Sequence, residues 1–266
     1  MSRALGGVRA LLTRYNLSRV DRLLEATFLA EREHFWFKGF RQFITPFIER
    51  GLTGVSAPRM LDCGCGTGSN LAVLKRYGHA SGFDLTSLGL QYARESGGYR
   101  VARASITHIP FKSGSFDLVT SFDVLQCLNE AQEALAMAEF ARLLKPGGTV
   151  VLNVAALEML RGSHSILAEE VRRYTPTLLR TALERAGFKV ERLTFTNATL
   201  FPLMLATRTI QRLAGLTSPE ETQREISLPA RPVNTLFTGL LSLEARALRM
   251  INMPIGSSLL VLARKR

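Results

Sequence analysis

Residues 61–70 read LDCGCGTGSN, and the fold follows from how that stretch is read. Two cysteines one residue apart, Cys63 and Cys65, suggest a metal or redox pair. Three alternating glycines, Gly64, Gly66 and Gly68, suggest instead a backbone bent around a ligand. Zinc sites built on paired cysteines space them by about two to four residues and need a second pair, or histidines, at matching spacing. Here the third cysteine, Cys127, is remote, the histidines His34, His79, His108 and His164 occur singly, and C-x-C is not the C-x-x-C of a redox pair. The cysteines are therefore expected to be small buried fillers, with no metal site. The glycines lie between a β-like run, RMLDCG, and a helical pattern, SNLAVLKRYG. Open α/β sheets bind ligands at such a junction, and glycine there admits positive φ and lets backbone N–H groups approach a ligand. A dinucleotide fingerprint, G-x-G-x-x-G, would put its third glycine where Ser69 stands. Asp84 closes the next β-like run, SGFDL, where a carboxylate can accept both hydroxyls of a ribose.

Outward from this stretch, strands and helices alternate. RMLDCG, HASGFDL, YRVARA, SFDLVTSF and GTVVLNVAA read as strands, and SNLAVLKRYG, SLGLQYARES and NEAQEALAMAEFARLLK as helices, the last stopped by KPGG. That order argues for a parallel sheet covered on both faces. Thr175 and Pro176 supply an N-cap and first turn for TLLRTALERAG, Gly187 closes it, and FKVERLTF follows as a strand. Between that strand and the last β-like run, SSLLVLARK, lie residues 197–256. They hold two apolar helical stretches joined by the polar linker TSPEETQREISLPARP. A hairpin needs only a few residues, so this is an insertion, and long insertions in compact folds are usually functional. The expected organisation is an N-terminal helical segment over 1–57, a core over 58–196 and 257–266, and the helical insertion over 197–256.

The chain has 266 residues and 46% hydrophobic composition, enough for one large domain with elaborations. Three cysteines point to a reducing compartment. The N-terminus lacks the apolar core and small-residue cleavage site of a secretory signal, although it is Arg-rich and free of acids until Asp21, as mitochondrial transit segments are. No apolar run reaches the roughly 18 residues of a membrane span. The net charge of +12 would suit a nucleic-acid partner, but it is unevenly placed. Residues 1–57 carry nine basic and five acidic side chains, 58–157 nine and eight, and 158–266 sixteen and nine. The middle is nearly neutral, so partner contacts are to be sought on the flanks.

LDCGCGTG with Asp84, ASITHIPFKSGSFDLVTSFDVLQCL and LLKPGGTVVL together resemble class I S-adenosylmethionine-dependent methyltransferases. The match runs over residues 59–154 in order and spacing. It implies a Rossmann-like, seven-stranded, mostly parallel sheet with helices on both faces, with S-adenosylmethionine as cofactor and S-adenosylhomocysteine as product. Asp62, Gly64, Gly66 and Gly68 would cradle the methionine part. Asp84, with Leu85 beside it, would hold the ribose. Ser105 and Ile106 would lie along the adenine, and Phe122 and Asp123 at the fourth-strand lip beside the sulfonium. Ser105 stands where relatives usually have Asp, and Cys127 where many have His. EREHFWFKGFRQFI, HSILAEEVRRYTP and MPIGSSLLVLARK resemble flanking elements of a bacterial branch that modifies small molecules, glycans or lipid-linked intermediates. Glu170 stands there where a His is expected before Arg-Arg-Tyr.

Methyl transfer from a sulfonium is an in-line displacement that needs alignment and exclusion of water, and a hydroxyl nucleophile profits from a general base. Candidate bases are His164, Glu170 and His34. Trp36 is a candidate cover, and Arg172, Arg173 and Tyr174 are candidates for an anionic substrate group, since arginine offers a bidentate fork. The insertion carries apolar helical faces beside arginines, which suit a lid over the substrate, a peripheral membrane face or a homodimer contact. The expected function is methyl transfer, on oxygen, to a small-molecule, glycan or lipid-linked acceptor, in the cytoplasm or at the membrane periphery. The alternatives are an RNA methyltransferase and a non-catalytic cofactor-binding or assembly protein. The chain lacks an appended RNA-binding module and a Lys-rich patch, and it lacks the N/D-P-P-Y/F tetrapeptide of amino-group methylation on nucleic acid.

Overall fold

The computed structural model describes residues 19–162, 165, 168–213 and 228–266. His164, most of the linker in the insertion and the first eighteen residues lie outside them. Two helices come first, α1 (Arg19–Ala30) and α2 (Phe35–Gly51). The alternating unit follows: β1 (Arg59–Cys63), α3 (Ser69–Leu74), β2 (His79–Asp84), α4 (Ser87–Gly97), β3 (Arg100–Arg103) and β4 (Phe116–Phe122). Then come α5 (Glu130–Leu143), β5 (Leu144–Ala155), α6 (Pro176–Arg185), β6 (Phe188–Thr196), α7 (Phe201–Leu213), α8 (Arg231–Ala247) and β7 (Ser258–Lys265).

The strands of the described residues form one seven-stranded sheet in the order β3-β2-β1-β4-β5-β7-β6. β1 to β5 are parallel, and β7 runs antiparallel between β5 and β6. The chain departs from β1 in both directions, to β2 on one side and β4 on the other, so the C-terminal ends of β1 and β4 flank the topological switch point where such sheets bind ligands.

The near-continuous apolar strands follow from burial of both sheet faces. Leu61, Cys63, Val119, Val150, Leu152, Leu259 and Val261 point into a core shared with Phe140 of α5 and Leu179 and Leu183 of α6. Their neighbours Met60, Leu118, Val151, Leu260 and Leu262 point the other way, onto Phe43, Ile44, Phe47 and Ile48 of α2. The period of two assigns residues to faces along the regular stretches of the strands, and it breaks where the register shifts, between Phe116 and Leu118 of β4 and between Val190 and Arg192 of β6. On α2 the apolar pairs three and four apart form the stripe that covers the sheet.

The helix ends obey local chemistry. Asn129 and Gln132 form a reciprocal capping box at the start of α5, and the Thr175 side chain accepts the Leu178 N–H while Pro176 opens α6. The structure differs from expectation at the α5–β5 junction. KPGG belongs to β5, where Leu144 already pairs with Phe116 before the register shifts and Thr149 resumes opposite Leu118. The breaker stops the helix, and the irregular register absorbs it at the start of the strand.

Of the insertion, α8 lies against α2. A Cβ on Gly39 would sit 2.5 Å from Leu241 Cδ1, so only glycine lets the two helices approach this closely. Asn234 joins their starts, accepting the Phe35 N–H at 2.8 Å and donating to the Glu33 carbonyl at 2.9 Å. The buried Glu244 of α8 accepts the N–H groups of Ala198 and Thr199, both at 2.9 Å, and the Thr199 hydroxyl at 2.7 Å. It thereby satisfies the donors leading into α7.

Candidate functional site

At the end of β1 the chain turns sharply. Gly64, Gly66 and Gly68 stand at φ of 84°, 48° and 80°, conformations that side chains disfavour. The turn is tied to β2, with the N–H groups of Gly64 and Cys65 both donating to the Phe83 carbonyl at 2.9 Å. A Cβ on Gly64 would also lie 2.3 Å from Val124 Cγ2, just past the end of β4. The loop is therefore pinned between the two strands of the switch point. Cys63 and Cys65 are free and buried in cores on opposite sides of the sheet, and burial pushes both thiols upward. Among the described residues no group of three or more His, Cys, Asp or Glu side chains could hold a metal ion.

Three carboxylates face this turn. Asp62 is buried at the tip of β1; its Oδ1 accepts the Thr120 hydroxyl at 2.7 Å, while its Oδ2 has no hydrogen-bond partner. Burial raises its carboxyl to about 7, the Thr120 bond opposing and the charge of Asp84 adding to the rise. An unsatisfied buried carboxyl oxygen is costly, and its natural complement is a cationic or N–H-bearing ligand. Asp84 Oδ2 accepts the Gly66 N–H at 2.8 Å, and its Oδ1 accepts the backbone and hydroxyl of Thr86 at 2.8 and 2.6 Å. The glycine loop and the β2 end are so locked together. Glu31, at the end of α1 and buried, accepts the Thr67 hydroxyl at 2.6 Å, and burial raises its carboxyl. Phe28 of α1 stacks on Tyr92 of α4 at 4.1 Å. The N-terminal helix thus lies directly over the motif.

The β4 lip carries the second half of the site. Phe122 is buried and meets Phe40 of α2 edge-on at 5.2 Å. Asp123, the next residue, adopts φ of 59°, which costs a non-glycine residue of order 1–3 kcal/mol and is a feature of functional sites. Asn153 near the end of β5 accounts for the conformation: its carbonyl accepts the Asp123 N–H at 2.9 Å and its Nδ2 donates to Asp123 Oδ1 at 2.8 Å. Asp123 is exposed yet crowded, as a side chain lining a cleft is. Desolvation raises its carboxyl to about 6 against the bonds from Asn153 and Gln126, with the nearby charge of Glu170 adding to the rise. The buried acceptor oxygens of Asn153 and Gln126 have no hydrogen-bond partner.

The remaining residues singled out from sequence are spread more widely. Ser105 bonds within its own turn, its hydroxyl 2.9 Å from that of Thr107, and Ile106 is buried behind it. Leu85 is 63% exposed at the rim, its carbonyl held by Arg103 at 2.9 Å. Glu170 is buried near Asp123 with both oxygens taken by Arg173, at 3.0 and 3.4 Å. Arg173 also reaches the Ala156 carbonyl and the Ser165 hydroxyl. Arg172 pairs with Glu133 and lies over the Tyr174 ring. Tyr174 is buried in the core and donates to Glu133 of α5 at 2.6 Å, so these two side chains face α5, beside the end of β5. His34 is the N-cap of α2: its Nδ1 accepts the Trp36 N–H at 3.2 Å, burial lowers its pKa, and its Nε2 has no hydrogen-bond partner. Trp36 is half-buried in the first turn of that helix. Sequence reasoning missed Glu31, Thr67, Thr120, Gln126 and Asn153. Thr67 lies inside the motif and Asn153 is the one polar residue in the apolar run VVLNVA near the end of β5; those positions are the available signal.

Residues 61–152 match the family described as a methyltransferase domain. The malonyl-[acyl-carrier protein] O-methyltransferase of Enterobacter lignolyticus is 32% identical over 108 residues, covering 38% of this chain and 41% of that protein. A Bos taurus protein named "Probable tRNA methyltransferase 9B" is 35% identical over 98 residues, covering 36% of this chain and 21% of that protein. The chain thus spans less than half the length of either. A geranyl diphosphate methyltransferase solved with GPP and sinefungin shares the fold, with a TM-score of 0.54 and 16% identity over 84% of this chain and 77% of that one. The glycine turn and the paired acids of β1 and β2 fall within the matched residues at the switch point of that fold, and residues 61–152 form a methyltransferase domain of the class I S-adenosylmethionine-dependent kind.

Proposed function

We propose that this chain transfers a methyl group from S-adenosylmethionine to oxygen on a small-molecule, glycan or lipid-linked acceptor. The observation that carries the cofactor assignment is the buried, unsatisfied Oδ2 of Asp62 beside the glycine turn. It suits the ammonium-bearing methionine part, and the open backbone around Gly66 suits close approach. Asp84 would hold the ribose, with Leu85, Ser105 and Ile106 along the adenine. The cofactor supplies an electrophilic methyl on a sulfonium; the chain supplies alignment and a place for the proton.

Asp123 is the carboxylate best placed to take that proton. It stands at the lip next to Phe122, and its raised carboxyl matches the basicity a general base needs near neutral pH. Glu170 is held by Arg173, which favours an anchoring role. His34, buried and neutral, is left with the α2 cap and the cover over the acceptor.

Transfer to oxygen agrees with the named activity of the Enterobacter relative. A second reading, RNA, is favoured by the basic flanks and by the name of the Bos taurus relative. Methyl-labelled S-adenosylmethionine incubated with the protein and fractionated source-cell lysate separates the two. Label in lipid or small-molecule fractions supports the proposal, and label in RNA replaces it with the second reading. No transfer from protein that binds the cofactor leaves a non-catalytic, assembly role.

A further inference from the structure

The inner face of α8 is spent on α2, through Phe237, Leu241, Ala245 and Leu248. A helix docked in this way should turn polar residues outward. α8 does not. Its outward positions, three and four apart, are Pro232, Leu236, Gly239, Leu243 and Arg246, continuing into Met250 of the following turn. Leu236 is 60%, Leu243 59% and Met250 89% exposed. Exposed apolar stripes of this kind mark interaction sites. α7 carries a similar one, with Leu203, Ile210 and Leu213 exposed.

Charge narrows the partner. The sequences of α7 and α8 hold Arg208, Arg212, Arg231 and Arg246, with Arg249 just beyond, against a single acid, Glu244. That acid is buried and occupied by the backbone before α7. Arg231, Arg246 and Arg249 are exposed along or beside the apolar stripe. A second copy of the same face would set arginine against arginine, and the first eighteen residues, with Arg3, Arg9 and Arg14 and no acid, are like-charged too. The linker between the helices holds Glu220, Glu221 and Glu225 against Arg224 and lies largely outside the described residues. Leucine and methionine flanked by arginine match a surface that is negative at its face and apolar just beneath. Among the described residues no helix is long and apolar enough to cross a membrane, so the contact is one of lying on the surface.

We infer that the outward face of α8 docks the protein on an anionic lipid bilayer. The inference concerns binding alone and stands apart from methyl transfer, since it requires neither cofactor nor acceptor. The test is co-sedimentation of the full chain with vesicles of phosphatidylglycerol and phosphatidylcholine, against phosphatidylcholine alone. Partitioning about tenfold or more stronger on the anionic vesicles is expected. The double variant Leu236→Glu with Leu243→Glu, at exposed positions outside the core, should lower it by at least about tenfold with circular dichroism unchanged. Leu243→Trp should report insertion directly, by a blue shift of its emission on anionic vesicles but not on neutral ones. Equal or absent partitioning, or no blue shift, overturns the inference. So does a wild-type dimer in sedimentation that the double variant splits, which would assign the face to a second copy.

Discussion

The lip formed by β1 and β4 and the outer helices α7 and α8 break the rules of a stable protein in opposite ways. At the lip the violations are internal: a left-handed Asp123, an unsatisfied Asp62 oxygen and orphaned acceptors on Asn153 and Gln126. In the outer helices the polar contacts are well made, as at Glu244 and Asn234, and the violation is external, apolar side chains facing outward. Unsatisfied polar groups in a cleft call for a small polar ligand, whereas exposed apolar groups beside arginine call for a surface. The difference separates the chemistry of the protein from its placement.

The largest expected effect tests whether the lip is catalytic. Asp123→Asn keeps the shape and removes the base, and should lower kcat by about 10² to 10⁴ with cofactor affinity nearly unchanged. In the wild type the reactive form is the carboxylate, so kcat should fall as pH drops below about 6, and the variant should lose that dependence. An unchanged kcat in steady-state assays would reduce Asp123 to a cofactor contact.

Gly64→Ala comes next. The methyl group meets both a positive φ and Val124, which should destabilise the fold by about 3 kcal/mol in urea unfolding. Val124→Ala in the same chain should restore the steric share, and purely additive losses would show that the two residues do not touch.

Glu244→Ala probes the other region. It leaves two backbone donors unpaired, for an expected loss of about 2–3 kcal/mol in urea unfolding, while cofactor affinity measured by calorimetry stays unchanged. A parallel loss of affinity would erase the division between the regions.

The smallest effect is the sharpest. Asp62→Asn should weaken cofactor binding roughly tenfold. Its carboxyl is raised from 3.8 to about 7 in the folded protein, so the folded state holds the proton more tightly than the unfolded one. Stability from this group is therefore present below the unfolded value and is lost as pH rises through about 7. Without cofactor, the Asn variant should melt higher than wild type at pH about 8. A lower melting temperature would mean that Asp62 is satisfied within the fold and not kept for a ligand.

The sequence by itself determined the parallel strands and their helices, the strand that leads into the glycine turn, and the place of Asp84 at the end of the next strand. These depend on local patterning: apolar runs of strand length, helical spacing, and glycine where the chain must bend. Thr175 with Pro176 was legible for the same reason, since a cap is written within four residues. Only the tertiary structure decided what the charged residues do. Arg172 and Tyr174 share a motif with Arg173, yet they join Glu133, forty residues away in sequence, while Arg173 turns to Glu170 beside the cleft. Nor could the linear chain show that Glu31 reaches Thr67, that Asn153 sets the backbone of Asp123, or that the apolar residues of α8 split into a face on α2 and a face outward. Helical spacing reveals that a stripe exists, but which stripe is buried depends on the neighbour it meets, and that neighbour is two hundred residues away in the sequence.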